Sequence, residues 1–262
     1  MGISAGMGAD AAFSISTVLG FLLTAVRVAG VFVFVPIPGL KSAVDPARVI
    51  LILGITIALF PVWPHPQGDA PAALFAMWTL SEASLGIGIG LTVAFAIEAF
   101  TVGAQVIGLQ AGYSFASTID PATQADSTVL VAITQTFAAI LFFVTGLDRD
   151  VLRIFARSLV VFPPGMFVLS RGSAQLILEA GSTMFTTGLR LALPVMAVMV
   201  MVDISLALLG RVNAQLNLLS VAFPIKMLLG VGLLAWMAVL LPALLRGASS
   251  ATFAAARVLA GH

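Results

Sequence analysis

Six stretches of this chain, at about 13–36, 47–63, 74–116, 128–146, 174–209 and 218–245, are almost wholly apolar. A helix needs about 20 residues to cross the hydrocarbon core of a bilayer. By that measure 47–63 is marginal. The stretches 74–116 and 174–209 suffice for two short crossings, or for one crossing plus an interfacial helix. Backbone amides in lipid have no water to bond to, so this many apolar stretches read as helices. Composition agrees: 60% of the residues are hydrophobic and 9% are charged, against about 25% charged in an ordinary soluble domain. Water solvates so uncharged a surface poorly, and lipid or partner chains must cover it. The expected fold class is all-α, an integral membrane protein of broken helices and helical hairpins.

Short connections with helix breakers separate the stretches. Pro36-Ile37-Pro38-Gly39, the segment Pro61 to Pro71, Asp120-Pro121 and Pro163-Pro164-Gly165 are turn signals. Basic residues gather at Lys41 and Arg48, at Arg149, Arg153 and Arg157, and at Arg246 and Arg257, whereas 64–73 and 117–127 have none. The positive-inside rule then places the N-terminus outside and the C-terminus inside. That orientation requires 74–116 to cross twice, turning near Glu98–Gly103. Residues 1–12 hold no Lys or Arg, so the first apolar segment is expected to be retained rather than cleaved as a signal peptide.

Several function classes lose support. A net charge of +1 gives no electrostatic pull toward nucleic acid. There is no cysteine, and the two histidines, His65 and His262, have no second ligand at metal spacing. No nucleophile–base pair or phosphate loop is present, so an enzyme is the weakest class and no cofactor is expected. Asp148, Arg149 and Asp150 read as a solvated loop.

Polar residues interrupt the apolar runs: Arg27, Glu82, Glu98, Gln105, Gln110, Gln135, Arg190 and Asp203. A charge facing lipid costs about 2.5–3.5 kcal/mol or more. These groups must pair internally, as Arg27 could with Glu82, or sit at a subunit seam or a wet pore. Gly86 and Gly90, like Gly108 and Gly112, have the spacing of close helix packing. Met196, Met199 and Met201 are apolar filling or an adaptable contact surface.

Two ordered motifs go further. The first is Gln110-Ala111-Gly112-Tyr113-Ser114-Phe115-Ala116-Ser117-Thr118-Ile119-Asp120-Pro121. The second runs Leu209-Gly210-Arg211-Val212-Asn213-Ala214-Gln215-Leu216-Asn217, followed by Phe223-Pro224-Ile225-Lys226. Together with Arg27-Val28, Pro36, Glu82 and Leu85-Gly86, they resemble the FliR family of type III secretion export-gate subunits across nearly the whole chain. Two departures stand out: Ala214 where that family usually has Pro, and Gly146-Leu147-Asp148-Arg149 where it often has Gly-His-His.

The resemblance implies a FliP-like part at 1–170 with a pore-plugging loop at about 108–120. That loop includes Gly108, Gln110, Gly112, Tyr113, Ser114, Phe115, Asp120 and Pro121. It also implies a FliQ-like helical hairpin and C-terminal tail at 171–262. The hairpin tip would carry Arg211, Gln215, Asn217, Pro224 and Lys226. Arg27, Glu82, Glu98 and Asp203 would be intramembrane or subunit-seam charges. Implied partners are FliP-like, FliQ-like, FlhA-like and FlhB-like components, exported unfolded flagellar proteins and lipid, in the bacterial inner membrane at the flagellar basal body. The paralogous injectisome subunit (SctT) and a self-contained transporter remain alternatives. So do a plain packing loop at 108–120 and a plain interfacial loop at the hairpin tip.

Overall fold

The computed structural model describes residues 15–35, 37, 45–63, 71–112, 128–163, 165–212, 218–238 and 241–261. Every regular element among them is helical. In chain order these are α1 (Ile15–Phe34), α2 (Pro46–Ala58), a 3-10 turn (Phe60–Val62), α3 (Ala72–Ala111), α4 (Thr128–Val144), α5 (Leu147–Val161), α6 (Arg171–Val212), α7 (Leu218–Ala238) and α8 (Leu241–Leu259). Three of the described helices, α1, α3 and α6, are long and apolar enough to cross a membrane.

Glycine sets how the long helices meet. Any Cβ on Gly86 would collide with the carbonyl oxygen of Arg27, and one on Gly90 would lie 2.6 Å from that of Val31. Gly30 returns the fit, its Cβ position lying 2.8 Å from the Ile87 nitrogen. The α1 and α3 backbones therefore touch, as the small-xxx-small spacing of Gly86 and Gly90 predicts. Contacts rise together along both chains, from Arg27–Gly86 to Val31–Gly90, so α1 and α3 run parallel. Helix α6 lies on α3 in the same sense: Gly88 faces Ile177, Phe95 faces Gly181, and Gly103 faces Gly188 and Leu191.

Return legs run the other way. Asp45 caps α2, accepting a bond from the Ala47 N–H at 3.0 Å, and Pro46 suits the first helical turn. Helix α2 then folds back along α1, bringing Trp63 to Phe21 at 5.2 Å between ring centroids. After α3 the chain returns through α4 and α5, which meet at Gly146 with φ +78°. Asp148 and Asp150 lie in the first turn of α5, not in a loop. Acidic groups are favoured there by the free N–H groups and the helix dipole. Val151, Ile154, Phe155 and Ser158 form the buried stripe of α5, and Arg149, Arg153 and Arg157 lie on its exposed side. The third return, α7 and α8, carries Phe223 near Gly112 and Leu259 near Gly88.

The expected turn in α3 does not form. No turn forms near Glu98–Gly103: α3 is one helix of 40 residues, about 60 Å long at 1.5 Å per residue. Gly103 is buried, and a Cβ there would lie 3.1 Å from the Gly188 carbonyl oxygen, so it serves close packing rather than a bend. Helix α6 is likewise one helix of 42 residues with Pro194 inside it. Without the extra crossing, the described legs form three out-and-back excursions. The deduction of N-terminus outside and C-terminus inside loses its basis. Near the C-terminus, helix α8 buries Phe253, Ala256 and Leu259.

Candidate functional site

Of the polar side chains that interrupt the apolar helices, Arg27, Glu82, Gln110 and Asp203 gather in two places, one toward each end of α3. At the N-terminal end, Arg27 and Glu82 are both nearly inaccessible, with side chains 2% exposed. The Arg27 guanidinium forms a two-pronged ion pair: Nη2 donates to Glu82 Oε1 at 2.8 Å and Nε donates to Oε2. Its other hydrogens go to main-chain carbonyls at the end of α5, Nη1 to Ser158 at 2.7 Å and Nη2 to Phe162 at 2.8 Å. The Gly165 N–H donates to Glu82 Oε1 at 3.3 Å. One arginine thus ties α1, α3 and α5 together. The Ser158 carbonyl also accepts the Phe162 N–H at 3.0 Å, whereas Phe162 lies past the helix end, and a planar guanidinium reaches both carbonyls at once. The internal pairing anticipated for Arg27 is the one observed.

The second gathering joins α3, α6 and α7. Gln110 Nε2 donates to Asp203 Oδ2 at 3.3 Å, and Lys226 Nζ lies 2.8 Å from Asp203 Oδ1. Just beyond, Gly112 ends α3 with φ +83°, its N–H turned back to the Gly108 and Leu109 carbonyls. Positive φ suits glycine. A Cβ there would also lie 2.9 Å from the Phe223 ring. Buried Gly108 belongs to the last turn of α3. Gln110, Asp203 and Lys226, which the sequence assigns to three separate features, therefore share one site. Here the carboxylate is 43% exposed and the ammonium 14%. This end is less buried than the first.

Other anticipated residues fall elsewhere. Tyr113, Ser114, Phe115, Asp120, Pro121, Gln215 and Asn217 lie outside the described residues. Arg211 is exposed in the last turn of α6. Pro224 does not break its helix: it sits inside α7, where its missing N–H costs only the bond to the Ser220 carbonyl. Glu98 is exposed in the middle of α3.

Chain-wide comparison decides the family. The model of the bacterial export proteins, family 1, matches residues 18–252. The chain belongs to this family. It is 30% identical over 211 residues to the flagellar biosynthetic protein FliR of Escherichia coli, covering 80% of each chain. It is 24% identical over 209 residues to the FliR of Bacillus subtilis, covering 79% of this chain and 81% of that one. Similarity extends to the surface presentation of antigens protein SpaR of Salmonella typhimurium, at 28% over 219 residues, covering 80% of this chain and 78% of SpaR.

Within this export family member, one structural residue escaped the sequence reading. Arg48 enters there only as a basic residue for orientation. In the fold it is buried and donates from Nη1 to the carbonyls of Phe32, at 2.9 Å, and Val33. It thereby closes the end of α1 with a cation, which the helix dipole favours. The signal was available: Arg48 lies in the first turn after the Asp45-Pro46 cap and begins an apolar helix.

Proposed function

We propose that this chain is an export-gate subunit of the flagellar type III secretion apparatus. In this reading it sits in the bacterial inner membrane at the flagellar basal body. It completes a channel with FliP-like and FliQ-like subunits, contacts FlhA-like and FlhB-like components, and passes unfolded flagellar proteins. Residues 1–170 form the FliP-like part and 171–262 the FliQ-like part. The observation that carries the reading is the family match over 18–252, which includes both motifs. Placement of Gln110 and Gly112 beside Asp203, Lys226 and Phe223 supports a working end where α3 gives way to 113–127. Aromatic residues there, Tyr113 and Phe115, would plug the closed pore and move aside for a passing polypeptide.

Deleting the gene and restoring it tests the function. The expected result is loss of flagellar subunits from the medium and of motility, both returning with the gene, and copurification of the chain with FliP-like and FliQ-like subunits. Normal motility in the deletion strain contradicts the reading. Similarity to SpaR favours one second reading, an injectisome gate. Loss of injected effectors with motility intact would select it.

A further inference from the structure

The chain passes from α5 to α6 through 166–170, a stretch with no turn, bend or regular element. Its side chains begin by alternating: Met166 is 69% exposed, Phe167 7% and Val168 76%, with Leu169 at 55%. Out, in, out is the spacing of an extended strand. The stretch is also held at both ends. Before it, the Phe162 carbonyl accepts from Arg27 and the Gly165 N–H donates to Glu82. After it, Ser170 caps α6, its hydroxyl accepting the Ser173 N–H at 3.1 Å. In between, Ser81 Oγ donates to the Phe167 carbonyl at 2.6 Å.

One edge of this stretch is used and the other is open. In an extended chain the N–H and C=O of one residue point to one edge, and those of the next residue to the opposite edge. Phe167 turns its carbonyl to Ser81 on α3, so Val168 turns its N–H and C=O away from α3. Neither group of Val168 has a hydrogen-bond partner among the described residues, nor does the Met166 C=O or the Ser170 N–H, which share that edge. A cavity of about 680 Å³ lies alongside, between this stretch, Ser173 and Leu176 of α6, and Val258 and Leu259 of α8. Every regular element among the described residues is helical, so none of them lends a strand. Lipid offers unpaired amides nothing, and a helix has spent its own backbone groups internally. Water satisfies such groups one by one. Another extended chain satisfies them together, at matching spacing, and fills the cavity with its side chains.

We propose that 166–170 is a strand-addition site for a fixed partner chain. The occupant is an extended segment of another subunit, laid along the Val168 edge. Its side chains that enter the cavity are apolar, to match Leu176, Val258 and Leu259. Rigidity commits the site to a lasting partner rather than to a polypeptide in transit. An edge fixed at Arg27–Glu82, at Ser81 and at the α6 cap loses little freedom on pairing, and preorganisation of that kind favours tight binding and slow release. The inference rests on the export-gate reading, in that it requires a second subunit.

The test uses the intact complex. Amide hydrogen exchange is read residue by residue and compared with an unstructured peptide of the same sequence. The Val168 and Ser170 amides are expected to exchange at least a hundredfold more slowly than in the peptide, and the Leu169 amide, on the opposite edge, within tenfold of it. A benzophenone amino acid at position 166 should join to one segment of one other subunit, whether or not exported protein is being made. Val168→Pro removes an N–H that bonds nothing among the described residues, so its effect falls on the added strand. It should lower the yield of that subunit in the complex at least fivefold. Val168→Ala keeps the N–H and should stay within twofold. Fast exchange at Val168 and Ser170, equal slowing of all three amides, crosslinks only to lipid, to exported protein or within the chain, or equal yields for Val168→Pro and Val168→Ala would each overturn the proposal. Exchange and crosslinking keep Val168 and decide the matter if Val168→Pro does not fold. If the chain copurifies with no other subunit, the export-gate reading fails and this inference with it. A complete complex whose Val168 and Ser170 amides exchange freely removes this inference alone.

Discussion

The two ends of α3 solve one problem in opposite ways. Near Glu82 the charges are sealed: both side chains of the ion pair are 2% exposed, and the surplus guanidinium hydrogens are spent on the carbonyls of Ser158 and Phe162. Near Gln110 the carboxylate of Asp203 stays 43% exposed. A sealed pair cannot be opened without stranding a charge, so it fixes the relation of α1, α3 and α5. A pair left partly open is less tightly held, and its rupture costs less. The first end suits a permanent joint. The second suits a place where helices must shift while the rest of the fold holds.

The largest effect is expected from breaking the sealed end. Arg27→Leu leaves Glu82 buried without its cation, and removing one partner of a buried pair costs about 3–5 kcal/mol. Thermal unfolding of the purified complex, or the amount of chain retained in the membrane, should show a large loss. Adding Glu82→Leu should recover only part of it, because the Phe162 carbonyl remains without the guanidinium donor and the Ser158 carbonyl keeps only the Phe162 N–H. Full recovery would mean that the ion pair alone matters and the tie to α5 does not.

Next in size is the glycine contact between α1 and α3. Gly86→Ala forces a Cβ into the Arg27 carbonyl, and overpacking of this kind costs about 1–3 kcal/mol. Gly54→Ala is the matched control, since nothing lies within 4 Å of a Cβ there. Equal melting temperatures for the two variants would refute the backbone contact. Smallest should be Asp203→Asn at the more open end, at about 1 kcal/mol, since the carboxylate is 43% exposed although Lys226 is only 14% exposed. Its melting temperature should barely move, and a loss as large as that of Arg27→Leu would erase the contrast between the two ends.

Much of this was legible in the sequence, and particular residues show why the rest was not. The helical membrane class follows from apolar length, and the cost of two lone charges made the Arg27–Glu82 pair one of two readings, beside a subunit seam or pore. Gly86 and Gly90 announce a close contact through spacing alone. Glu98–Gly103 misled because the turn there was required only by the orientation deduced from the basic residues. Only the neighbour at Gly188 shows that Gly103 packs instead. Arg48 was missed because its partners are main-chain carbonyls of another helix, which leave no mark in composition. The meeting of Gln110, Asp203 and Lys226 spans 93 residues from Gln110 to Asp203, and nothing local predicts it.

The central claim is that the Gln110 end is the working end of an export gate. Removing residues 110–116 tests it most directly, with ion permeability measured in cells or vesicles carrying the variant complex. The account predicts a complex that still assembles, held by the sealed Arg27–Glu82 joint, and that leaks ions above the wild-type level. An assembled variant that exports normally and leaks no more than wild type would contradict it.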